Sequence, residues 1–281
     1  MKRMLVALLV LSMFMSFTLP AYACTEWAAT GSAVEGGGTL IIKNRDWIPN
    51  QIQELKLFTP VDGYRYFGIN IKDIGGMVKG GINEYGLVVF NQAAETTPGS
   101  ERKQITPYLT DMLLKKCKNV DEVIAMVPTL VGPIILNIAD KNKIANIELG
   151  LNGTHASITS EDGVIYHTNH LLAENLLGAN TVEYPGSHIR YQRIGELLKS
   201  VSKPYTLKNF IDFSQDQNDG PDSSIWRIGS TTEQQRTLAT FAAKLPKQGS
   251  PTLYILMANP GQEFQYFNLQ VDDIFSGKAG Y

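Results

Sequence analysis

Apolar residues are distributed along this chain in two ways. From Met4 to Leu19 they run with small residues and no charge, and beyond Cys24 they come in short bursts separated by turn formers. The bursts at 24–30, 39–44, 64–70, 86–92, 134–139, 237–243 and 252–258 are rich in β-branched and aromatic residues and predict strands. The last two are joined by "KLPKQGSP", a hairpin-like connection. Between the strand groups the spacing changes to three and four. Leu109, Leu113 and Cys117 share one face of a helix predicted at 107–118, with Thr106 and Pro107 as its cap and first residue. A second helix, 120–127, has Asn119 as cap and Glu122 three residues on, and a third, 187–200, opens at Ser187. Strands first, helices in the middle and strands last describe an α+β fold of helices on antiparallel sheets, because a doubly wound parallel fold alternates more regularly. With no internal repeat and no linker, residues 24–281 read as a single domain.

The first apolar run has a different meaning. Lys2 and Arg3 precede it, Pro20 ends it, and Ala21-Tyr22-Ala23 follows, which is the order of a secretory signal peptide spanning 1–23. The run is shorter than the roughly 20 residues of a spanning helix. The expected product is exported, secreted or periplasmic, begins at Cys24, and has no stable membrane insertion after cleavage. A lipoprotein signal also ends at a cysteine, but Ala21 and Tyr22 fit its pattern poorly, so a lipid-anchored surface protein is the weaker reading.

Composition narrows the classes further. The 281 residues are 43% hydrophobic and 19% charged with a formal net charge of −2, and no basic run interleaved with aromatics suggests nucleic acid. The two cysteines, Cys24 and Cys117, are the complete set. In an exported protein such a pair is ordinarily a disulfide, which would make this a non-catalytic binding domain. The place of Cys117 on an apolar helix face favours a buried free thiol instead.

A cut flush against Cys24 puts a thiol of pKa about 8.5 and an α-amine of pKa about 7.7–8.0 on one residue, a nucleophile together with its general base. If 24–30 and 39–44 form a hairpin through "GSAVEGGG", a turn centred near Glu35 places Cys24 opposite Asp46, and a slip of register would substitute Lys43, Asn44 or Arg45. Asp46 beside the new terminus would orient the ammonium. Equally, "NRDW" is a strand-end turn with Asn and Asp bonding local backbone. Arg190, with Ile194, Leu197 and Leu198 four, seven and eight residues later, lies on the packed face of its helix, where a guanidinium needs a partner. His167 and His170, without a nearby cysteine or carboxylate in the motif, make a poor metal site.

The segments "CTEW", "KNRDW", "GGINEYGLVVFNQ", "ILNIADKNKIANIELG", "YHTNH", "SHIRYQR" and "GPDSSIW" follow one another in an order that resembles the N-terminal-nucleophile amide hydrolases. The resemblance is to the choloylglycine hydrolase and penicillin V acylase group, and more closely to its isopenicillin N acyltransferase-like branch. It implies a four-layer αββα sandwich, Cys24 as nucleophile, Asp46 orienting the amine, Asn91 and Asn169 at the oxyanion, and Arg190 as an active-site arginine close to the thiol. Lys43 stands where bile salt hydrolases carry an arginine. No cofactor and no metal are implied, and the partner is a small-molecule amide, with a homo-oligomer left open. Acyl-amino acids, conjugated bile acids, penicillin-type side-chain amides and acyl-homoserine lactones all fit, for hydrolysis or acyl transfer, and the sequence does not rank them.

Overall fold

A computed structural model describes residues 23–73 and 77–281, so the predicted signal segment, apart from Ala23, lies outside the described residues. The strands are β1 (Cys24–Thr30), β2 (Thr39–Trp47), β3 (Gln53–Phe58), β4 (Tyr66–Ile71), β5 (Gly80–Asn83), β6 (Val88–Ala93), β7 (Ile134–Ala139), β8 (Ile144–Leu149), β9 (His155–Ser160), β10 (Gly163–His167), β11 (Arg236–Leu245), β12 (Thr252–Met257) and β13 (Gln265–Gln270). The helices are α1 (Leu109–Lys116), α2 (Val120–Met126), α3 (Pro185–Ser200), α4 (Leu207–Ser214), α5 (Gly220–Ser223) and α6 (Val271–Phe275).

The strands form two antiparallel sheets, one ordered β10-β1-β2-β11-β12-β13 and the other running β3 to β9 in chain order. Side chains alternate across each strand, so each central strand feeds two cores. On β1 and β2, Ala28 and Ile41 turn inward to join Phe67, Ile82, Val88, Phe90 and Phe241 between the sheets. Their neighbours Trp27, Ala29, Leu40 and Ile42 turn outward onto Ile194 and Leu198 of α3 and Phe210 and Phe213 of α4. The second sheet is covered likewise, with Leu87, Val89, Leu136 and Ile138 against Leu113 and Leu114 of α1 and Val120 and Val123 of α2. The result is the four-layer αββα sandwich. Burial on both faces explains why Trp27–Ala29 of β1 and Leu40–Ile42 of β2 are unbroken apolar stretches rather than alternating ones.

The β1–β2 hairpin departs from the predicted register by one residue. Its loop has an even number of residues, closed by Gly31 N–H donating to Gly38 O at 3.0 Å, and so centres between Val34 and Glu35. Gly38 has φ +80°, and a Cβ there would lie 2.3 Å from the Leu245 carbonyl oxygen. Cys24 therefore opposes Arg45, not Asp46, and Glu26 opposes Lys43. Because the side-chain period is two, Cys24 shares its face with Lys43 and Arg45.

Two helix starts also differ from expectation. Tyr108, at φ 50°, precedes α1, and Thr106 is not its cap; the Thr106 hydroxyl accepts from Val131 N–H at 2.8 Å. Cys117 follows α1 as an extended, buried residue with its sulfur against that of Met126 at 3.4 Å. Helix α3 starts two residues early because Pro185 occupies its first turn, which frees Ser187 for other bonds. The Asn119 cap is as predicted, its side chain accepting from Glu122 N–H at 2.9 Å.

Candidate active site

Cys24 begins β1, is 8% exposed, and opens onto a cavity of about 400 Å³ at one end of the two sheets. The first sheet contributes Cys24, Lys43, Arg45 and Trp47; the second contributes Lys79, Asn91, Ala93 and Ile134, with Met77, Arg102 and Ile105 at the sides. A neighbouring cavity of about 280 Å³ shares Met77, Lys79, Asn91, Ile105 and Ile134. A larger one, about 620 Å³ between Tyr85, Lys141 and Lys247, is lined by no cysteine, serine, threonine or histidine, so chemistry selects the smaller one.

Behind the thiol, the Cys24 backbone is held by a buried network. In the full-length chain its nitrogen is an amide, and it donates to Asn169 Oδ1 at 2.8 Å. Arg190, 0% exposed, donates through Nη1 to Cys24 O at 2.7 Å and Thr25 Oγ1 at 2.9 Å, and through Nη2 to Asn169 Oδ1 at 3.1 Å. Asn169 is fixed in turn: its N–H donates to Ser187 Oγ at 2.8 Å and its Nδ2 to Ala93 O at 2.9 Å. The partner that Arg190 of α3 needs is thus supplied by the start of β1 together with Asn169.

Asp46 lies beside the start of β1. Its N–H donates to Ala23 O at 3.1 Å, its Oδ1 accepts from Thr237 Oγ1 at 2.8 Å, and Arg227 stands 3.9 Å from Oδ2. That Oδ2 is buried without a hydrogen bond among the described residues. A register shift in the β2–β11 pairing, between Thr237 and Ala239, sets Thr237 opposite Asp46. Burial pushes the Asp46 carboxyl up, against the pull of Arg227 and Arg190. Burial also raises the Cys24 thiol, with Lys43 opposing and Asp46 and Glu26 adding to the rise.

Lys43 does not project freely at the thiol. Its ammonium bonds the Asn91 carbonyl, Lys79 O at 2.9 Å and Glu26 Oε1 at 3.0 Å. Glu26 is fully buried, and Asn137 Nδ2 donates to its other oxygen at 2.6 Å. Asn91 sits across the cavity from Cys24, its Nδ2 donating to Thr110 Oγ1 at 2.7 Å. Of the five residues singled out by sequence, Cys24, Asn169 and Arg190 are in direct contact. Asp46 adjoins them through Ala23, and Asn91 faces Cys24 across the cavity.

Over residues 34–262 the chain matches the family of acyl-coenzyme A:6-aminopenicillanic acid acyl-transferase. The chain belongs to this family. The match begins after Cys24 and does not include it. The fold is that of the N-terminal-nucleophile, choloylglycine hydrolase-like group. Penicillin V acylase from Agrobacterium tumefaciens superposes with a TM-score of 0.56 at 12% identity, over 88% of this chain and 86% of that one. A variant of conjugated bile acid hydrolase from Clostridium perfringens superposes with a TM-score of 0.50 at 12% identity, over 89% and 93%. No curated protein matches the sequence.

Within this acyl-transferase family member, sequence reasoning overlooked Glu26, Lys79 and Glu148, and reached Arg45 only as one outcome of a slipped register. The one signal for Glu26 was a lone carboxylate in an otherwise uncharged strand. Glu148 anchors the segment that presents Asn169: His167 Nε2 lies 2.7 Å from its Oε1, and the N–H groups of Leu172 and Ala173 donate to its carboxylate, each at 3.0 Å to Oε2. Burial alone would raise Glu148, but the bond and charge of His167 and the two N–H groups together hold it below the usual carboxylate range. A depressed folded pKa gives stability that is full above the unfolded value and fades as pH falls through the folded one. Urea midpoints should therefore drop more steeply below pH about 4.3 in the native protein than in Glu148→Gln. Parallel curves for the two would remove this anchor role.

Proposed function

We propose that the chain is an exported cysteine-dependent amidase or acyltransferase acting on linear, non-peptide C–N amides, with Cys24 as an N-terminal nucleophile. The observation that carries this reading is the Cys24 nitrogen, clamped by Asn169 beside a thiol that opens onto the cavity. Cleavage between Ala23 and Cys24 turns that nitrogen into an amine. Asp46 Oδ2, buried and without a hydrogen-bonding partner among the described residues, is the acceptor suited to its ammonium form.

In the proposed reaction the free amine takes the thiol proton and the thiolate adds to the amide carbonyl carbon. Asn91 and Asn169 are the proposed donors to the oxyanion; the Asn91 amide carries two protons, one of which goes to Thr110. The intermediate then collapses, the C–N bond breaks, and the leaving amine takes a proton from the α-ammonium. Water or a second amine attacks the resulting thioester and regenerates Cys24. Arg190 positions the residue by holding its carbonyl. None of these steps uses a metal or cofactor.

Both cysteines are free, which supports this reading over a disulfide-bridged binding domain. Among the described residues no helix is long and apolar enough to cross a membrane. The test is the intact mass and N-terminal sequence of the exported protein, followed by a panel of N-acyl amides with Cys24→Ser as control. An unmodified terminus at Cys24 with activity lost in Cys24→Ser is expected. A diacylglycerol on Cys24, or full activity in the serine variant, would overturn the mechanism.

A further inference from the structure

The charges around the cavity do not cancel. Lys43 is paired with Glu26 at 3.0 Å and Arg102 with Glu95 at 2.6 Å. Arg45 and Lys79 have no such counterion among the described residues. Arg45 is 3% exposed, its side chain donates among the described residues only to the neutral Gln51 side chain at 2.8 Å, and it lies over the Trp47 ring at 5.2 Å. Its Nε and Nη1 are buried with no acceptor among the described residues. Lys79, across the cavity, is pushed down to about 8 by burial and by the neighbouring Arg45 and Lys43. Neither nearby acid pairs with Arg45 or Lys79: Asp46 accepts from Thr237 and stands 3.9 Å from Arg227, and Asp111 accepts from Tyr66 and the Val78 N–H.

A buried guanidinium with unsatisfied nitrogens is costly, and an anion bound against it offsets that cost. Arginine suits carboxylates in particular, through its planar array of donors. We propose that Arg45, assisted by Lys79, binds a carboxylate of the substrate, and that the substrate is an N-acyl α-amino acid or a close analogue. The inference rests on reading the Cys24 cavity as the substrate site. Arg45 opposes Cys24 directly on the β1–β2 ladder. Opposed side chains start about 5 Å apart, so the carboxylate sits only a few bonds from the scissile amide. Met77, Ile105 and Ile134 give the cavity an apolar stretch that it shares with the neighbouring cavity, where the acyl group belongs. Among the candidate classes this ranks acyl-amino acids and other anionic amides above neutral acyl-homoserine lactones.

The experiment is calorimetric titration of the mature Cys24→Ala protein with N-octanoylglycine and with its neutral isostere N-octanoylglycinamide. Charged hydrogen bonds predict that the carboxylate binds about 10- to 100-fold tighter, with the ratio shrinking as salt rises. Arg45→Gln in the same background should bring the ratio close to one, and circular dichroism reports whether that variant is folded. If it is not, Lys79→Met serves in its place and should lower the ratio in the same direction. Equal binding of the two ligands, no binding of either, or a ratio untouched by both substitutions overturns the inference. The two readings fail separately. Amide cleavage by the Cys24 protein without carboxylate preference removes the Arg45 site alone, whereas carboxylate binding without cleavage of any amide removes the amidase reading alone.

Discussion

A chain that keeps Ala23 ahead of Cys24 is expected to turn over amides about 10²- to 10⁴-fold more slowly than one beginning at Cys24, the span that a positioned general base contributes. The comparison is clean because Ala23 already has a place in the fold. It is buried, its N–H donates to Gln235 Oε1 at 3.2 Å, and its carbonyl accepts from Asp46 N–H. Retaining it leaves the thiol, the Asn169 clamp and the cavity in position and changes only whether the α-nitrogen can accept a proton. An amide nitrogen cannot, and burial holds the Cys24 thiol above its ordinary value, so the unassisted thiolate is scarce at neutral pH. Purified forms beginning at residue 23 and at residue 24, verified by intact mass, give the answer from single-turnover rates on one N-acyl amide. Equal rates would mean that the base is some other group, and Asp46 would lose its assigned role with it.

Burial accounts for much of what is legible in the sequence, although β8, "IANIEL", is fully buried inside its sheet and is not among the predicted strands. Strands β1, β2, β6, β7, β11 and β12 lie inside their sheets and carry apolar runs that announce them. The edge strands β9, "HASITS", and β13, "QYFNLQ", are largely exposed, so their sequences carry little apolar signal. Strand β5, "GGIN", is short and glycine-rich because its neighbour comes too close for a side chain: a Cβ on Gly81 would lie 2.4 Å from Phe67 O. At the site, Cys24 and Arg190 are legible from local patterns, the processing point and the helix periodicity. The Glu26–Lys43 pair is not, because it depends on a register that one loop residue reverses. The contact of Asn169 Oδ1 with the Cys24 nitrogen is also hidden, since it joins residues 145 apart in the chain. The same one-residue shift that hides Lys43's partner moves Arg45 onto the thiol's face, within reach of a substrate held there.

Arg190→Lys is expected to lower kcat about 10²-fold, the order of loss when a reacting group is misplaced by an ångström, while KM changes little. One planar guanidinium reaches Cys24 O, Thr25 Oγ1 and Asn169 Oδ1 at 2.7, 2.9 and 3.1 Å, fixing both the nucleophile's backbone and the side chain that holds its nitrogen. An ammonium is a point donor on a flexible stem and cannot reproduce that fork. Arg190 is fully buried behind β1 and does not line the cavity, which is why the loss should fall on kcat rather than on binding. Keeping a cation in Arg190→Lys separates this effect from unfolding. Arg190→Met should in addition lose stability, because each buried acceptor left without a donor costs about 1–3 kcal/mol. Steady-state kinetics and urea unfolding of the two variants test both halves. If Arg190→Lys retains full kcat, the clamp on Cys24 is scaffolding for the fold alone. A rise in KM at constant kcat would instead mean that the guanidinium contacts substrate, and the cavity would have to extend behind β1.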